Sequence, residues 1–243
     1  LMIIKYPDGK DIELIFDEKS HKYKVGEDFV PSVTKIIDNI VPVFLTRWAA
    51  KEGAAWFRNH VESMVFPEDI EDMAMGIEMA HINISKAALN IGKKVHNYIE
   101  EVIEWSLDSG DKPEMPEEEE AVNSIKAFGE WVKANDVEWI STEERVYSRK
   151  YGFAGTVDAL ALIDDRFCVI DFKTSKQIYK SYKLQVYAYK QAVQEMYGKE
   201  VEGCWILRFD KSTGKFQARE IKENYLPAFI KGLDFYNEYR KRR

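Results

Sequence analysis

Two hydrophobic periods follow one another along this chain. The opening segment, MIIKYPDGKDIELIFDEKSHKYKVGEDFVPS, carries short apolar runs between turn signals, PDG the strongest among them, and predicts short strands. After Pro31, SVTKIIDNI has the helical period, with Ser32 placed as its N-cap. Helical spacing continues over 45–64, 67–81 and 85–105. Beyond the loop DSGDKPEMPEEEE it resumes over 117–135, where acids suit the positive end of a helix.

The pattern then becomes that of strands. ERVYSR, FAGTVDALALI and RFCVIDFK read as three consecutive strands joined by KYG and DDR. A helix over 180–197 follows, then strands VEGCWILRF and KFQAREI across the hairpin signal KSTG, and a last helix over 227–240. This order predicts an α/β chain. No repeat or low-complexity linker interrupts it, so one domain is expected, with 1–84 an N-terminal strand and helical elaboration and 85–243 the core.

Composition narrows the class. With 45% hydrophobic and 13% aromatic residues, 243 residues can bury a large core without disulfide or metal support. No apolar run approaches the ~20 residues of a membrane span. The N-terminus lacks a basic region and a small-residue cleavage site, so a cytoplasmic, intracellular protein without membrane association is expected. Cys168 and Cys204 fall in apolar strand-like runs and are expected as buried free thiols. Two cysteines cannot supply the four ligands of an iron–sulfur cluster.

The net charge of −7 argues against nucleic acid until its distribution is examined. Between Asp108 and Glu144 stand 12 acids against 3 bases, which leaves the remainder slightly basic. Between 171 and 190, Lys173, Lys176, Lys180, Lys183 and Lys190 meet only Asp171 as an opposing charge.

The candidate chemistry centres on VIDFKT, residues 169–174. A strand's two-residue period puts Asp171 and Lys173 on one face, which on its own reads most simply as a surface ion pair. Asp158, thirteen residues earlier in GTVDALALI, lies in a strand too apolar to carry an acid without a partner. If the two strands pair through DDR their carboxylates converge, which is unfavourable unless a cation sits between them. In IGKKVHNYIEE, Gly92, His96 and Glu100 share a helix face at intervals of four. Imidazole with carboxylate oxygens makes a Mg²⁺ or Mn²⁺ site, although a lone helical histidine is more often structural. Gln185 and Tyr189 stand four apart on the next helix, Gln185 interrupting an otherwise apolar stripe.

In this order, GxxxHxxxE, GTVD, DFK and QxxxY resemble the RecB-type branch of the PD-(D/E)XK nuclease superfamily. Within it the chain is similar to the mitochondrial genome maintenance exonucleases and their phage and bacterial relatives; the likeness spans roughly residues 85–190, and PSVTKII extends it loosely toward the N-terminus. The resemblance implies a restriction-endonuclease-like core, a central mixed β-sheet flanked by helices. It implies one or two Mg²⁺ or Mn²⁺ ions held by His96, Asp158, Asp171 and the carbonyl of Phe172, with no iron–sulfur cluster. Lys173 would be the lysine of the DxK element, and Glu100 would ligate a second ion or orient water.

Gln185 and Tyr189 match an element associated with holding DNA. The partner implied is DNA, single-stranded or with free ends, and the activity implied is that of a metal-dependent exonuclease. A histidine ligand predicts faster turnover with Mn²⁺ than with Mg²⁺. Tyr182 with Lys176, Lys180 and Lys183, together with Tyr179 and Tyr187, would form a track for stacking and charge, as would Trp48, Trp56 and Phe57 beside Arg47, Lys51 and Arg58; core packing is the competing reading of these aromatics. A structure-specific or restriction-like endonuclease, or a silent DNA-binding protein on the same fold, remains the alternative.

Overall fold

The strand signals before Pro31 become an antiparallel four-stranded sheet in the computed structural model, which describes residues 1–40, 45–61, 69–107, 111–210 and 213–241. The strands are β1 (Met2–Ile4), β2 (Ile12–Asp17), β3 (Lys22–Val25) and β4 (Asp28–Val30), paired in that order. The β3–β4 hairpin turns on two residues, and Gly26 takes φ 59°, which a side chain would resist. Ser32 then caps α1 (Val33–Ile40), its hydroxyl oxygen accepting the Lys35 amide at 3.1 Å.

The second sheet, in the order β5–β6–β7–β8–β9, is mixed as the resemblance implies. It comprises β5 (Val137–Ser148), β6 (Phe153–Ile163), β7 (Arg166–Thr174), β8 (Gly203–Phe209) and β9 (Phe216–Glu220). Asp164 and Asp165, both at positive φ (49° and 62°), make the tight turn that makes β6 and β7 antiparallel neighbours. Because β7 and β8 are parallel, the chain must cross over between them, and α5 (Lys180–Tyr197) is that crossover. Its C-terminus closes on Gly198 in the left-handed conformation.

Helices cover both faces of this sheet. On one side Val33, Val186, Tyr187, Val193, Phe229 and Leu233 from α1, α5 and α6 (Leu226–Lys241) pack on Leu160, Val169 and Ile206. On the other, Val95, Ile99 and Ile103 of α3 (Asp69–Ser106) and Ile125 and Phe128 of α4 (Glu119–Ala134) pack on Ala161, Ile170 and Phe172. Each such aliphatic side chain, fully buried, contributes about 1.5–3 kcal/mol. The N-terminal sheet is fastened to the β5–β6 hairpin by an apolar cluster, in which Ile4, Leu14 and Tyr23 meet Tyr147 and Ala154, and by polar contacts. Tyr6 donates its hydroxyl to the Tyr147 carbonyl at 2.7 Å, and the Ala154 amide donates to the Pro31 carbonyl at 3.0 Å.

The described chain divides into two compact units, Leu1–Val41 with Lys94–Arg243, and Pro42–Lys93. The second contains α2 (Leu45–His60) and the first part of α3. Its helices cross where Gly76 faces Trp56: a Cβ on Gly76 would lie 2.1 Å from the indole ring. Trp56 in turn stacks on His60 (4.3 Å, 13°), so this indole packs within its own unit.

Sequence spacing expects separate helices over 67–81 and 85–105; Asp69–Ser106 is one helix instead. The weak helix formers around Asn83 cost only tenths of a kcal/mol each, too little to break a long cooperative helix. Expected ends at Met64 and Pro67, Lys211 and Ser212 of the second hairpin, and the side chains of Arg47 and Trp48 lie outside the described residues. Among the described residues no helix is long and apolar enough to cross a membrane. Cys168 and Cys204 are free and buried.

Candidate metal centre and active site

The β6–β7 ladder runs from Ile163–Arg166 to Ala159–Ile170. Beyond it a side chain takes over from the backbone, because the Phe172 amide donates to Asp158 Oδ2 at 2.6 Å. The acid that the apolar context of GTVD left in need of a partner thus has one in the adjacent strand. At the same end of β7, near the carboxyl end of the parallel β7–β8 pair, Asp171 and Lys173 share a face, with Lys173 Nζ 2.6 Å from Asp171 Oδ1. Lys173 Nζ also lies 3.3 Å from the Phe172 carbonyl. The Phe172 ring points to the opposite face, into the α3–α4 layer, with the His96 imidazole edge-on against it at 5.8 Å.

From α3, His96 brings Nε2 to 3.6 Å from Asp158 Oδ2, close enough for electrostatic attraction and too long for a strong hydrogen bond. Val95 and Ile99 anchor that turn in the core and so fix where His96 and Glu100 point. A third acid joins them from β5. His96, Glu100 and Glu143 each offer a ligand atom within 4.8 Å of the others. Glu143 has φ 48°, the left-handed region, which is uncommon for a glutamate. Its neighbour Glu144 turns elsewhere, accepting hydrogen bonds from Ser141 and Tyr197. Nothing in the sequence pattern singles out Glu143, since ERVYSR predicts a strand beginning only after it and the strand in fact begins at Val137.

Burial and crowding set the charges. Burial pushes the Asp171 carboxyl up to about 7 although the Lys173 ammonium pulls it down. Glu143 is likewise pushed up to about 7, by burial first and by Asp158 and Glu100 next, and burial raises Glu100. Asp158 goes the other way: desolvation opposes its ionisation, but Lys173, His96 and the Phe172 amide together hold it below the ordinary carboxylate range. Desolvation works against the charged form of Lys173, and Asp171 with Asp158 overcomes it, leaving the ammonium firmer than usual. His96 is raised in the same manner, Asp158 outweighing desolvation.

These residues fit a divalent cation. Asp171 is fully buried, and its Oδ2 has no hydrogen-bond partner among the described residues. A buried carboxylate oxygen left bare costs on the order of 1–3 kcal/mol, a cost that an ion would remove. His96 links two sets of acids, Glu100 and Glu143 within 4.8 Å on one side and Asp158 at 3.6 Å on the other, while Asp171 pairs with Lys173; carboxylate oxygens with one imidazole nitrogen suit Mn²⁺ or Mg²⁺.

The remaining expected site residues fall into two groups. Gln185 Nε2 donates to the Tyr189 hydroxyl at 2.9 Å, and Tyr189 lines a cavity with Glu100 and Glu143. Tyr182 lies beneath Lys173, whose Nζ is 5.3 Å from the ring centroid, and Tyr179 meets Tyr182 edge-on at 5.4 Å. Lys176 and Lys180 are exposed. Lys183 is engaged within the chain, donating to the Tyr225 hydroxyl at 3.1 Å with Glu223 at 3.7 Å. Tyr187 belongs to the core rather than to any stacking track, its hydroxyl donating to the Ile221 carbonyl at 3.2 Å.

GTVD also acquires a physical reading residue by residue. Gly155 lies against the Tyr189 ring, Thr156 shares a 2.7 Å hydrogen bond with the Tyr23 hydroxyl, Val157 is core and Asp158 faces His96.

A mixed sheet that carries an acid–x–lysine strand, a second acid on the neighbouring strand and an imidazole on the covering helix defines an α/β nuclease core. A family profile matches residues 75–232, and the chain belongs to the PD-(D/E)XK nuclease superfamily, whose members typically use divalent metals and act on nucleic acids. Among solved structures it is similar to SSO0001, at 15% identity and TM-score 0.33, over 79% of this chain and 84% of that one. It is also similar to the alkaline exonuclease LHK-Exo from Laribacter hongkongensis, at 16% identity and TM-score 0.31, over 60% of this chain and 82% of that one. A structure of LHK-Exo in complex with dAMP matches at 16% and TM-score 0.30, over 60% and 83%. No curated protein matches the chain significantly.

Proposed function

We propose that the protein is a divalent-metal-dependent deoxyribonuclease that hydrolyses phosphodiester bonds from free ends and prefers single strands. The observation that carries the reading is the buried Asp171 oxygen that has no partner among the described residues, on a carboxylate paired with Lys173, next to the Phe172 amide that binds Asp158, with His96 3.6 Å from Asp158. His96, Asp158, Asp171 and the Phe172 carbonyl would hold the ion; Glu100 and Glu143 would hold a second ion or a water. Bound Mg²⁺ or Mn²⁺ supplies Lewis acidity and makes water a competent nucleophile at neutral pH, which side chains alone rarely achieve against a barrier reduction on the order of 20 kcal/mol.

The chain's own groups do the rest. Lys173, kept cationic by Asp171 and Asp158, donates to a phosphate oxygen as charge accumulates there. Acids on both sides make it a poor base. Glu143, beside Glu100 and His96, would orient a water where it does not hold an ion. Gln185, oriented by its bond to Tyr189, steadies the nucleic-acid backbone. Tyr179, 42% exposed against Tyr182, offers a stacking face beside Lys173, which supports the preference for single strands.

The test is a time course on end-labelled single- and double-stranded DNA with Mn²⁺ or Mg²⁺, with Asp171→Ala as control and circular single-stranded DNA as a separate substrate. Release of mononucleotides or short products from single-strand ends, faster with Mn²⁺, is expected, and the circle should stay intact. Cleavage of the circle would make the enzyme an endonuclease, faster digestion of blunt duplex would overturn the strand preference, and equal rates with both ions would count against His96 as a ligand.

A further inference from the structure

Two cavities open next to each other in the unit that carries the site. One, of about 470 Å³, is lined by Glu100, Glu143 and Tyr189 on the catalytic side and by Phe16 and Arg145 on the other. The second, of about 500 Å³, is lined by Lys22, Phe29, Lys35 and Tyr236. They share His21, Tyr23, Ser32 and Thr34 in their walls. The two cavities therefore adjoin along these residues, one beside the carboxylates on the sheet face that carries Phe16 and Tyr23, the other at the β4 edge near the start of α1 and Tyr236 of α6.

Their chemistry is aromatic and basic in alternation. Arg145 stands 4.9 Å over the Phe16 ring, and Phe16 packs against Tyr23 at 4.7 Å and His21 at 5.8 Å. Further along, Phe29 is 45% exposed, with Lys24 4.3 Å and Lys22 5.5 Å from its ring centroid. Lys35 adds a cation, and the Ser32–Thr34 hydroxyl pair, bonded to each other at 3.1 Å, leaves one proton to offer. Acids are present as well: Asp38 lines the far cavity, and Glu18, largely exposed, lies 3.7 Å from Arg145. Rings that can take a base face, set between cations that can take phosphates and adjoining the candidate metal centre, match single-stranded nucleic acid.

We infer that the strand being degraded runs from the metal centre along a groove formed by these two cavities, with bases against Phe16, His21 and Phe29 and phosphates against Arg145, Lys22 and Lys35. The inference rests on the nuclease reading of the site and adds where its substrate lies. It also assigns the N-terminal sheet, which contributes no ligand to the centre, the task of gripping the polymer at a distance from the cut. Tyr23 joins the two, lining both cavities while its hydroxyl holds Thr156, two residues from Asp158.

The test measures oligothymidylate binding by fluorescence anisotropy, with Ca²⁺ in place of Mn²⁺ to hold back cleavage, for strands from two to about 12 nucleotides, a length within the usual single-strand site range. The variants are Phe29→Ala and the pair Lys22→Ala with Lys35→Ala, none of which touches the centre. Hydrolysis of p-nitrophenyl thymidine phosphate with Mn²⁺ is followed in parallel, because that diester occupies the centre alone.

Wild-type affinity should rise with strand length. Each variant should lose about tenfold in affinity for the longest strand, in line with the value of one stacked base or two phosphate contacts, and little for the dinucleotide. The small diester should be hydrolysed at the wild-type rate. Variant affinities within twofold of wild type for every length, with wild-type Tm, would remove the groove and leave the nuclease reading standing. Wild-type protein that hydrolyses neither the diester nor DNA would overturn the nuclease reading itself, and the groove as a substrate path with it.

Discussion

Gly155 is where the fold and the site constrain one another most closely. A Cβ built there would lie 2.6 Å from Tyr189 Cε1 and 3.4 Å from Val33 Cγ2. Carbon atoms prefer about 3.5–4.0 Å, so Gly155→Ala requires the Tyr189 ring to withdraw by roughly 1 Å. The ring is 3% exposed, held between α1 and β6 and tied to Gln185, so it can withdraw only toward the cavity it lines and at the expense of that bond. Overpacking of this kind costs about 1–3 kcal/mol. For a chain of this size a cost of about 2 kcal/mol lowers Tm by roughly 4–8 °C.

The displaced ring also carries the Gln185 hydrogen bond, so Mn²⁺-dependent hydrolysis should fall about tenfold or more even at temperatures where the variant is folded. Differential scanning fluorimetry and a fixed-temperature nuclease assay read the two effects. A third variant tests the cause. In a Tyr189→Ala background, adding Gly155→Ala should lower Tm by less than about 2 °C, because the clashing ring is gone. Wild-type Tm and activity in Gly155→Ala, or an undiminished cost in the Tyr189→Ala background, would refute the contact as the reason for glycine.

Two further outcomes follow from the charges. Because burial and neighbouring acids raise Glu143 to about 7, the metal-free folded state holds a proton that the unfolded state releases near pH 4.5; the stability this contributes is complete below the unfolded value and disappears as pH rises through about 7. Glu143→Gln should therefore match wild-type Tm near pH 4 in EDTA and exceed it near pH 8, and a constant difference across that range would show that the group does not titrate as described. Lys173→Met should reduce hydrolysis at least about 100-fold while leaving DNA affinity in Ca²⁺ within about threefold, since the ammonium acts on charge that develops during reaction; equal losses in binding and rate would make it a binding residue only.

The elements that supply most of the centre are legible from local pattern. FAGTVDALALI and RFCVIDFK are long apolar runs around a two-residue turn, so β6 and β7 and their pairing follow from period and turn chemistry, and with them the convergence of Asp158 and Asp171. His96 and Glu100 are readable as one helix face. Glu143 is not, because VEWISTEERVYS is polar, bulged near Ile140, and turned by a left-handed residue that no propensity favours. Its role depends on a residue more than forty positions away. The same holds for Tyr23 and Thr156, 133 residues apart, and for the burial of Tyr187, which depends on the Ile221 carbonyl at the far edge of the sheet. Local periodicity reports which face of an element is buried, whereas these partnerships depend on which distant element covers it.

The strained backbone at Glu143 has an evolutionary side. A left-handed residue with a side chain gives up roughly 1–2 kcal/mol that glycine would keep. Selection for thermostability alone would therefore drift toward glycine or asparagine at this position. On the proposed reading of the site, retention of an acid here in natural or laboratory-evolved descendants would mark lineages still under pressure to cut nucleic acid, and its replacement by glycine would mark those released from it.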